Sequence, residues 1–260
     1  MEKKYTIQDL LDIMERLRQP DGCPWDKVQT HESIKKSLIE ESYEAIDALD
    51  SNDDMAFANE LGDVLLQVVF HAQIAKERNA FDFDTVVNEI CTKLITRHTH
   101  VFGEEQAGDV DEALTNWEKN KKKEKGLKTY SDMLNDVPHY YPALMRAEKV
   151  QKKAKGVGFD WDNVNDVYKK VEEEICELKE ASDNESVQRI EEEYGDLLFA
   201  VVNLGRFLDV TPEIALTKAS EKFIKRFSAM EKEAVKVEKD LADMTLDEMD
   251  DIWNRIKHSK

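Results

Sequence analysis

Glu60-Leu61-Gly62-Asp63-Val64-Leu65 and Glu193-Tyr194-Gly195-Asp196-Leu197-Leu198 are two versions of one motif, separated by 133 residues. The same separation relates Glu40-Glu41-Ser42-Tyr43-Glu44 to Glu173-Glu174-Ile175-Cys176-Glu177. With small insertions the correspondence continues from Lys93, Arg97, Trp117 and Lys121 to Lys222, Arg226, Trp253 and Lys257. A repeat of this length indicates that the chain contains a duplicated structural unit.

The sequence around these motifs is typical of an all-α protein. Only 9 glycines and 5 prolines interrupt its 260 residues, and apolar residues recur at spacings of three and four. Residues 64–70 and 197–202 resemble buried strands when taken alone, but each continues a longer helical pattern, so we predict helices there. Two similar domains follow, residues 1–120 and 137–260, joined by a polar, lysine-rich linker at 121–136.

The composition restricts the possible partners and the compartment. The formal net charge is −19, from 56 acidic and 37 basic residues, which argues against nucleic-acid binding through a basic groove. The 3 cysteines form no closely spaced pair, so we expect a reduced, cytoplasmic protein. No apolar run approaches the length of a membrane span, and we expect no membrane partner.

Each half carries two acidic pairs with internal spacings of 3, 16 and 3 residues. Residues three apart share one face of a helix. Polar residues interrupt each gap, at 51–53 and at 182–184, and a turn there makes an antiparallel hairpin with all four carboxylates at one height. The two sets are Glu41, Glu44, Glu60 and Asp63 in the first half, and Glu174, Glu177, Glu193 and Asp196 in the second.

These carboxylates predict a metal site. Solvated acidic faces are the ordinary alternative in so acidic a chain, but Glu60 and Asp63 lie in an otherwise apolar helix, where converging charges need a cation. Oxygen ligands without histidine or cysteine favour Mg²⁺, or Mn²⁺, over zinc. A di-iron bundle would need histidine three residues after a glutamate, and the sequence has no such pair.

Several further motifs resemble those of the MazG family of nucleoside triphosphate pyrophosphohydrolases, within the all-α NTP pyrophosphatase superfamily. They are Arg16-Leu17-Arg18, Asp21-Gly22-Cys23-Pro24-Trp25-Asp26, Gln29-Thr30-His31 and Val157-Gly158-Phe159-Asp160-Trp161, together with the acidic motifs above. The resemblance covers nearly the whole chain. It implies tandem four-helix units, a homodimer, Mg²⁺ dependence and hydrolysis of NTPs or dNTPs to the monophosphate and pyrophosphate, in nucleotide-pool housecleaning or stress regulation.

The resemblance also implies roles for particular residues. The metal-binding, catalytic set would be Glu174, Glu177, Glu193 and Asp196. From the residues themselves we expect a second, weaker site at Glu41, Glu44, Glu60 and Asp63, unless the first half discriminates other substrates or mainly supports assembly. The nucleotide contacts would be Lys170, Arg189, Lys222, Arg226 and Trp253. The spacing itself places Lys222 and Arg226 on one helical face, and likewise Trp253 and Lys257, so that cations and an aromatic ring could hold phosphates and a base.

The two halves differ in the residues that could balance phosphate charge. At the separation of 133, Lys170 corresponds to Ser37, Arg189 to Ala56, Glu192 to Asn59 and Asn203 to Phe70. The first half therefore keeps its carboxylates but lacks two cations and an amide. We predict that the second half carries most of the catalysis, with Glu192 and Asn203 joining the substrate-binding residues.

Two other functions remain open on the sequence. The protein could be a pyrophosphohydrolase specific for one modified nucleotide or a guanosine alarmone, because stacking on Trp253 or Trp161 would accept any base. It could also be a non-catalytic helical module that senses nucleotides.

Overall fold

A computed structural model of the chain describes residues 4–184 and 186–258. Twelve α-helices and two short 3₁₀ turns make up its secondary structure, and the described residues include no strand. The all-α prediction is confirmed, and residues 64–70 and 197–202 are helical as expected. The chain divides into two compact units, Met1–Glu124 and Lys125–Lys260.

The first unit contains six α-helices in its described residues, with its core where the first and third pack together. Met14 of the first helix and Val69, Phe70 and Ile74 of the third are buried in one apolar cluster. The helices are α1 (Ile7–Arg18), α2 (Lys35–Asp50), α3 (Asp54–Glu77), α4 (Phe83–Arg97), α5 (Thr99–Phe102) and α6 (Val110–Glu124).

Helices α2 and α3 form the hairpin that the acidic spacing predicted. Asn52 stands between them with a positive φ of 58°, a conformation that asparagine tolerates better than most residues. Asp53 then caps α3, because its side chain accepts hydrogen bonds from the backbone N–H groups of Met55 and Ala56, each at 3.0 Å. The turn centred near Asn52 is confirmed.

The second unit also has six α-helices in its described part, and α9 and α10 form its hairpin. The turn predicted at 182–184 is wrong, since α9 continues through Asn184. Ser186 caps the next helix instead, its hydroxyl accepting a hydrogen bond from the backbone N–H of Arg189 at 3.3 Å. The helices are α7 (Tyr130–Asn135), α8 (Ala143–Lys155), α9 (Val164–Asn184), α10 (Val187–Phe207), α11 (Pro212–Lys236) and α12 (Leu246–His258).

The segment predicted as a linker, 121–136, is largely helical, because α6 continues to Glu124 and α7 lies within it. Thr129 and Asp132 form a capping box: the Thr129 hydroxyl accepts from the Asp132 N–H at 3.0 Å, and the Asp132 carboxylate accepts from the Thr129 N–H at 2.8 Å. Helical connections such as α5 and α7 also raise the helix count of each unit above the four that the resemblance implied.

We find no helix in residues 4–184 or 186–258 that is both long and apolar enough to cross a membrane.

Candidate metal and nucleotide site

Three carboxylates of the second unit converge across its hairpin. Glu174 and Glu177 lie on α9 and Glu193 on α10, and each contributes an oxygen that lies within 4.8 Å of the other two. Glu174 and Glu193 are only 5% and 3% exposed, whereas Glu177 is exposed. Asp196, one turn further along α10, lies outside this trio but lines a cavity together with Glu174.

Two basic side chains neutralise the buried carboxylates. Lys170 Nζ lies 2.7 Å from both Glu174 and Glu173, and these hydrogen bonds raise the pKa of Lys170 above its ordinary value. Arg189 pairs with Glu193 and also with Glu192, the latter at 2.8 Å. Each base precedes its buried partner by four residues, so one helical turn brings them together.

The geometry and the negative charge of this cluster suit a hard divalent cation. Loss of solvation, followed by the charge of Glu174, raises the pKa of Glu177. Glu174 Oε2 is buried and has no hydrogen-bond partner in the part of the chain that the structure describes. An unpaired buried carboxylate oxygen is costly unless a cation compensates it. Glu174, Glu177 and Glu193 would hold Mg²⁺ or Mn²⁺, since all their donor atoms are carboxylate oxygens.

A cavity of about 510 Å³ adjoins these carboxylates. Lys170, Glu174 and Asp196 line part of it, and Phe159 and Trp161 supply aromatic rings. A cleft of this size with a few polar groups and aromatic walls is typical of small-molecule sites.

A buried ion pair supports the same cavity. Arg206 pairs with Asp160 through both of its terminal nitrogens, one of them at 2.9 Å, and it also donates to Asn203 Oδ1. Burial tends to raise the pKa of Asp160, but hydrogen bonds from Arg206 and from the Trp161 N–H outweigh it and lower the pKa. Sequence reasoning quoted Asp160 only as part of a motif and missed Arg206 altogether, because the two residues are 46 positions apart.

The equivalent carboxylates of the first unit converge in the same way. Glu41, Glu44 and Glu60 each place an oxygen within 4.8 Å of the other two. Burial, followed by the neighbouring carboxylates with Asp63 foremost, raises the pKa of Glu41. Ser37 stands where the second unit has Lys170, so this cluster lacks that counter-ion.

The other four predicted nucleotide contacts lie elsewhere in the second unit. Arg226 on α11 and Trp253 on α12 pack together, with the guanidinium carbon 5.9 Å from the ring centre, and Lys222 and Lys257 are exposed. Arg97 and Trp117 make the same contact at 5.3 Å in the first unit, so the pair belongs to the repeated fold. None of the four is among the residues found to line the 510 Å³ cavity, and their role stays a prediction.

The two carboxylate-bearing helical hairpins are those expected of a tandem protein of the MazG class, and sequence comparison gives the same assignment. The family model described as the MazG nucleotide pyrophosphohydrolase domain matches residues 29–102 and again residues 163–235, and the chain belongs to this family. The two matches contain the two hairpins.

Similar proteins cover almost all of the chain. It is 48% identical to the nucleoside triphosphate pyrophosphohydrolase/pyrophosphatase MazG of Thermotoga maritima, over 98% of this chain and 97% of that protein. It is 44% identical to the nucleoside triphosphate pyrophosphohydrolase of Escherichia coli K12, over 98% of each chain. An uncharacterized protein of Bacillus subtilis, YabN, is 46% identical over 98% of this chain and 52% of its own length.

Proposed function

We propose that this protein is a Mg²⁺-dependent nucleoside triphosphate pyrophosphohydrolase that acts mainly through its second unit. The substrates would be NTPs and dNTPs, ATP among them, and the products the nucleoside monophosphate and pyrophosphate. The observation that carries the proposal is the cluster of Glu174, Glu177 and Glu193 beside a cavity with aromatic walls. The names of the Thermotoga and Escherichia relatives support the same reaction.

The chemistry consumes one water and breaks the bond between the α- and β-phosphates. A bound divalent ion would supply Lewis acidity and lower the pKa of a coordinated water. Glu174, Glu177 and Glu193 hold positions for such an ion, and Lys170 and Arg189 place positive charge beside the same carboxylates. That charge would favour the approach of phosphate oxygens and the departure of pyrophosphate.

Assembly and cellular role belong to the same proposal. Each hairpin exposes large apolar side chains, such as Ile39, Tyr43 and Ile46 on α2, and Tyr168 and Ile175 on α9. Faces of this kind favour a homodimer, in which a second chain would cover them. We propose a cytoplasmic enzyme that clears the nucleotide pool or acts in stress regulation.

The test is a product analysis of the eight standard NTPs and dNTPs with Mg²⁺, in which pyrophosphate and orthophosphate are measured separately. We expect pyrophosphate from several substrates, its loss in the variant Glu174→Ala/Glu193→Ala, and binding with little turnover when Ca²⁺ replaces Mg²⁺. The matched control is Glu172→Ala/Glu191→Ala, which removes two exposed charges from the same two helices and should keep the activity.

Other outcomes would redirect the assignment. Orthophosphate as the main product would contradict the proposed bond cleavage. Turnover confined to one modified nucleotide or a guanosine alarmone would replace the broad substrate range. Tight nucleotide binding without turnover of any substrate would indicate the sensing module instead.

A further inference from the structure

Gln151 on α8 carries a buried side-chain carbonyl oxygen. The residue is 7% exposed and lines the 510 Å³ cavity. Its Nε2 donates a hydrogen bond to the backbone carbonyl of Phe199 at 2.8 Å. Its Oε1 is buried and has no hydrogen-bond partner among residues 4–184 and 186–258. Buried polar atoms are nearly always satisfied, so this one indicates a ligand that donates.

The orientation of the amide follows from its one bond. A backbone carbonyl can only accept, so the Gln151 nitrogen must face Phe199 and the oxygen must point away from it. Gln151 therefore keeps an acceptor oxygen available, and the residue lines the same cavity as Glu174, whose Oε2 is likewise buried without a partner in the described residues.

The place where Gln151 contacts α10 indicates which part of a bound nucleotide would lie beside it. Asp196, Phe199, Asn203 and Arg206 line the cavity from successive turns of this helix. At about 1.5 Å of rise per residue, Phe199 lies about 4.5 Å beyond Asp196, and Asn203 lies about 6 Å further on. Because Gln151 bonds to Phe199, it lies between the two ends of the cavity. The carboxylates lie at one end, and at the other end Asp160 pairs with Arg206 and accepts a hydrogen bond from the Trp161 N–H.

A nucleoside triphosphate has the same order of parts, with the sugar between the phosphates and the base. We infer that Gln151 Oε1 accepts a hydrogen bond from a hydroxyl group of the bound nucleotide's sugar, which makes Gln151 a specificity-determining residue. The inference rests on the proposed function, because the phosphates are taken to lie at the carboxylates.

The first unit has a different residue at the position that corresponds to Gln151. At the separation of 133 residues, Gln151 corresponds to Arg18 and Asn203 to Phe70. Arg18 has only donors, which it directs at Glu77 and at the carbonyls of Asp26 and Gln29, and its guanidinium lies 5.4 Å from the centre of the Phe70 ring. This position therefore offers no acceptor to a sugar hydroxyl in the first unit.

The test compares dissociation constants for ATP and 2′,3′-dideoxy-ATP, measured with Ca²⁺ so that turnover does not interfere. The unchanged protein should bind ATP about tenfold more tightly, as expected for one hydrogen bond to a neutral group. In Gln151→Met, which keeps the side-chain length, the ratio should approach one. Gln67→Met is the matched control, because Gln67 on α3 is also buried with an unpaired Oε1 and does not line this cavity.

The outcomes separate this inference from the proposed function. Equal binding of ATP and 2′,3′-dideoxy-ATP by the unchanged protein would overturn the inference. This comparison needs no variant, so it can be made even if Gln151→Met does not fold. A hydroxyl preference that persists in a folded Gln151→Met would also overturn it. The inference would also be overturned if Gln151→Met no longer distinguished ATP from purine riboside triphosphate, because the amide would then recognise the base. A hydroxyl preference without pyrophosphate production would contradict the function alone.

Discussion

The two hairpins have the same backbone plan and the same acidic trio, but they balance its charge differently. In the second unit, Lys170 and Arg189 stand four residues before Glu174 and Glu193 and pair with them. In the first unit those places hold Ser37 and Ala56, and burial, followed by the neighbouring carboxylates, raises the pKa of Glu41. The comparison teaches that carboxylate geometry and charge balance are specified by different residues, one helical turn apart.

A second difference lies on the inner face of α3 and α10. Phe70 is 4% exposed and packs edge-on against Trp25, with ring centres 6.4 Å apart. Asn203, at the corresponding place, lines the cavity and accepts hydrogen bonds from Arg206. The first unit therefore uses this position for its apolar core, whereas the second keeps a polar group facing open space.

The largest expected effect is a difference in turnover between variants of the two acidic trios. Glu174→Gln/Glu193→Gln should lower kcat by about a thousandfold, because it removes two charges that a divalent ion needs. Glu41→Gln/Glu60→Gln should leave most of the turnover, measured as pyrophosphate release from proteins of confirmed oligomeric state. Equal losses in the two variants would show that the units act together and would remove the functional asymmetry.

The next effect is a difference in stability between substitutions of Phe70 and of Asn203. Phe70→Ala should lower the free energy of unfolding by at least about 3 kcal/mol, because it leaves a cavity in the core of the first unit. Asn203→Ala should cost about 1 kcal/mol, since Arg206 keeps its pairing with Asp160. Urea denaturation of the full chain measures both, and a larger cost for Asn203→Ala would contradict the packing described.

The smallest effect concerns a histidine pair found in the first unit. His31 and His71 share a hydrogen bond of 2.8 Å between their Nδ1 atoms, and at the separation of 133 residues Leu204 replaces His71. Burial, followed by the charge of His31, lowers the pKa of His71 below its ordinary 6.5. The folded protein therefore binds this proton less readily than the unfolded chain does. The resulting stabilisation is present above the ordinary pKa and is lost as the pH falls below it.

The measurement is the Tm at about pH 7.5 and about pH 5.5, where histidine titrates. The unchanged protein should lose a few degrees more than His71→Gln on acidification. Identical losses would mean that the pair does not sense pH, and a greater loss in the variant would reverse the expected sign.

The sequence was sufficient where the determinants are local. The spacing of 3, 16 and 3 predicted both hairpins and the convergence of four carboxylates in each, of which three form the cluster, because helix geometry alone converts spacing into position. It could not predict Gln151 facing Phe199 or Arg206 pairing with Asp160, since these contacts join residues 48 and 46 positions apart and depend on how helices pack. The capping box at Thr129 was readable, but the lysine-rich composition around it suggested a linker.

Lys170 and Arg189 have a consequence for how the second hairpin would bind a metal ion. Its two buried carboxylates already have cationic partners, so a divalent ion bound there would compete with an ammonium and a guanidinium for the same carboxylates. Metal binding of this kind would be an ion exchange. The displaced positive charge would stay tethered to the helix, about one turn from the carboxylate that it left.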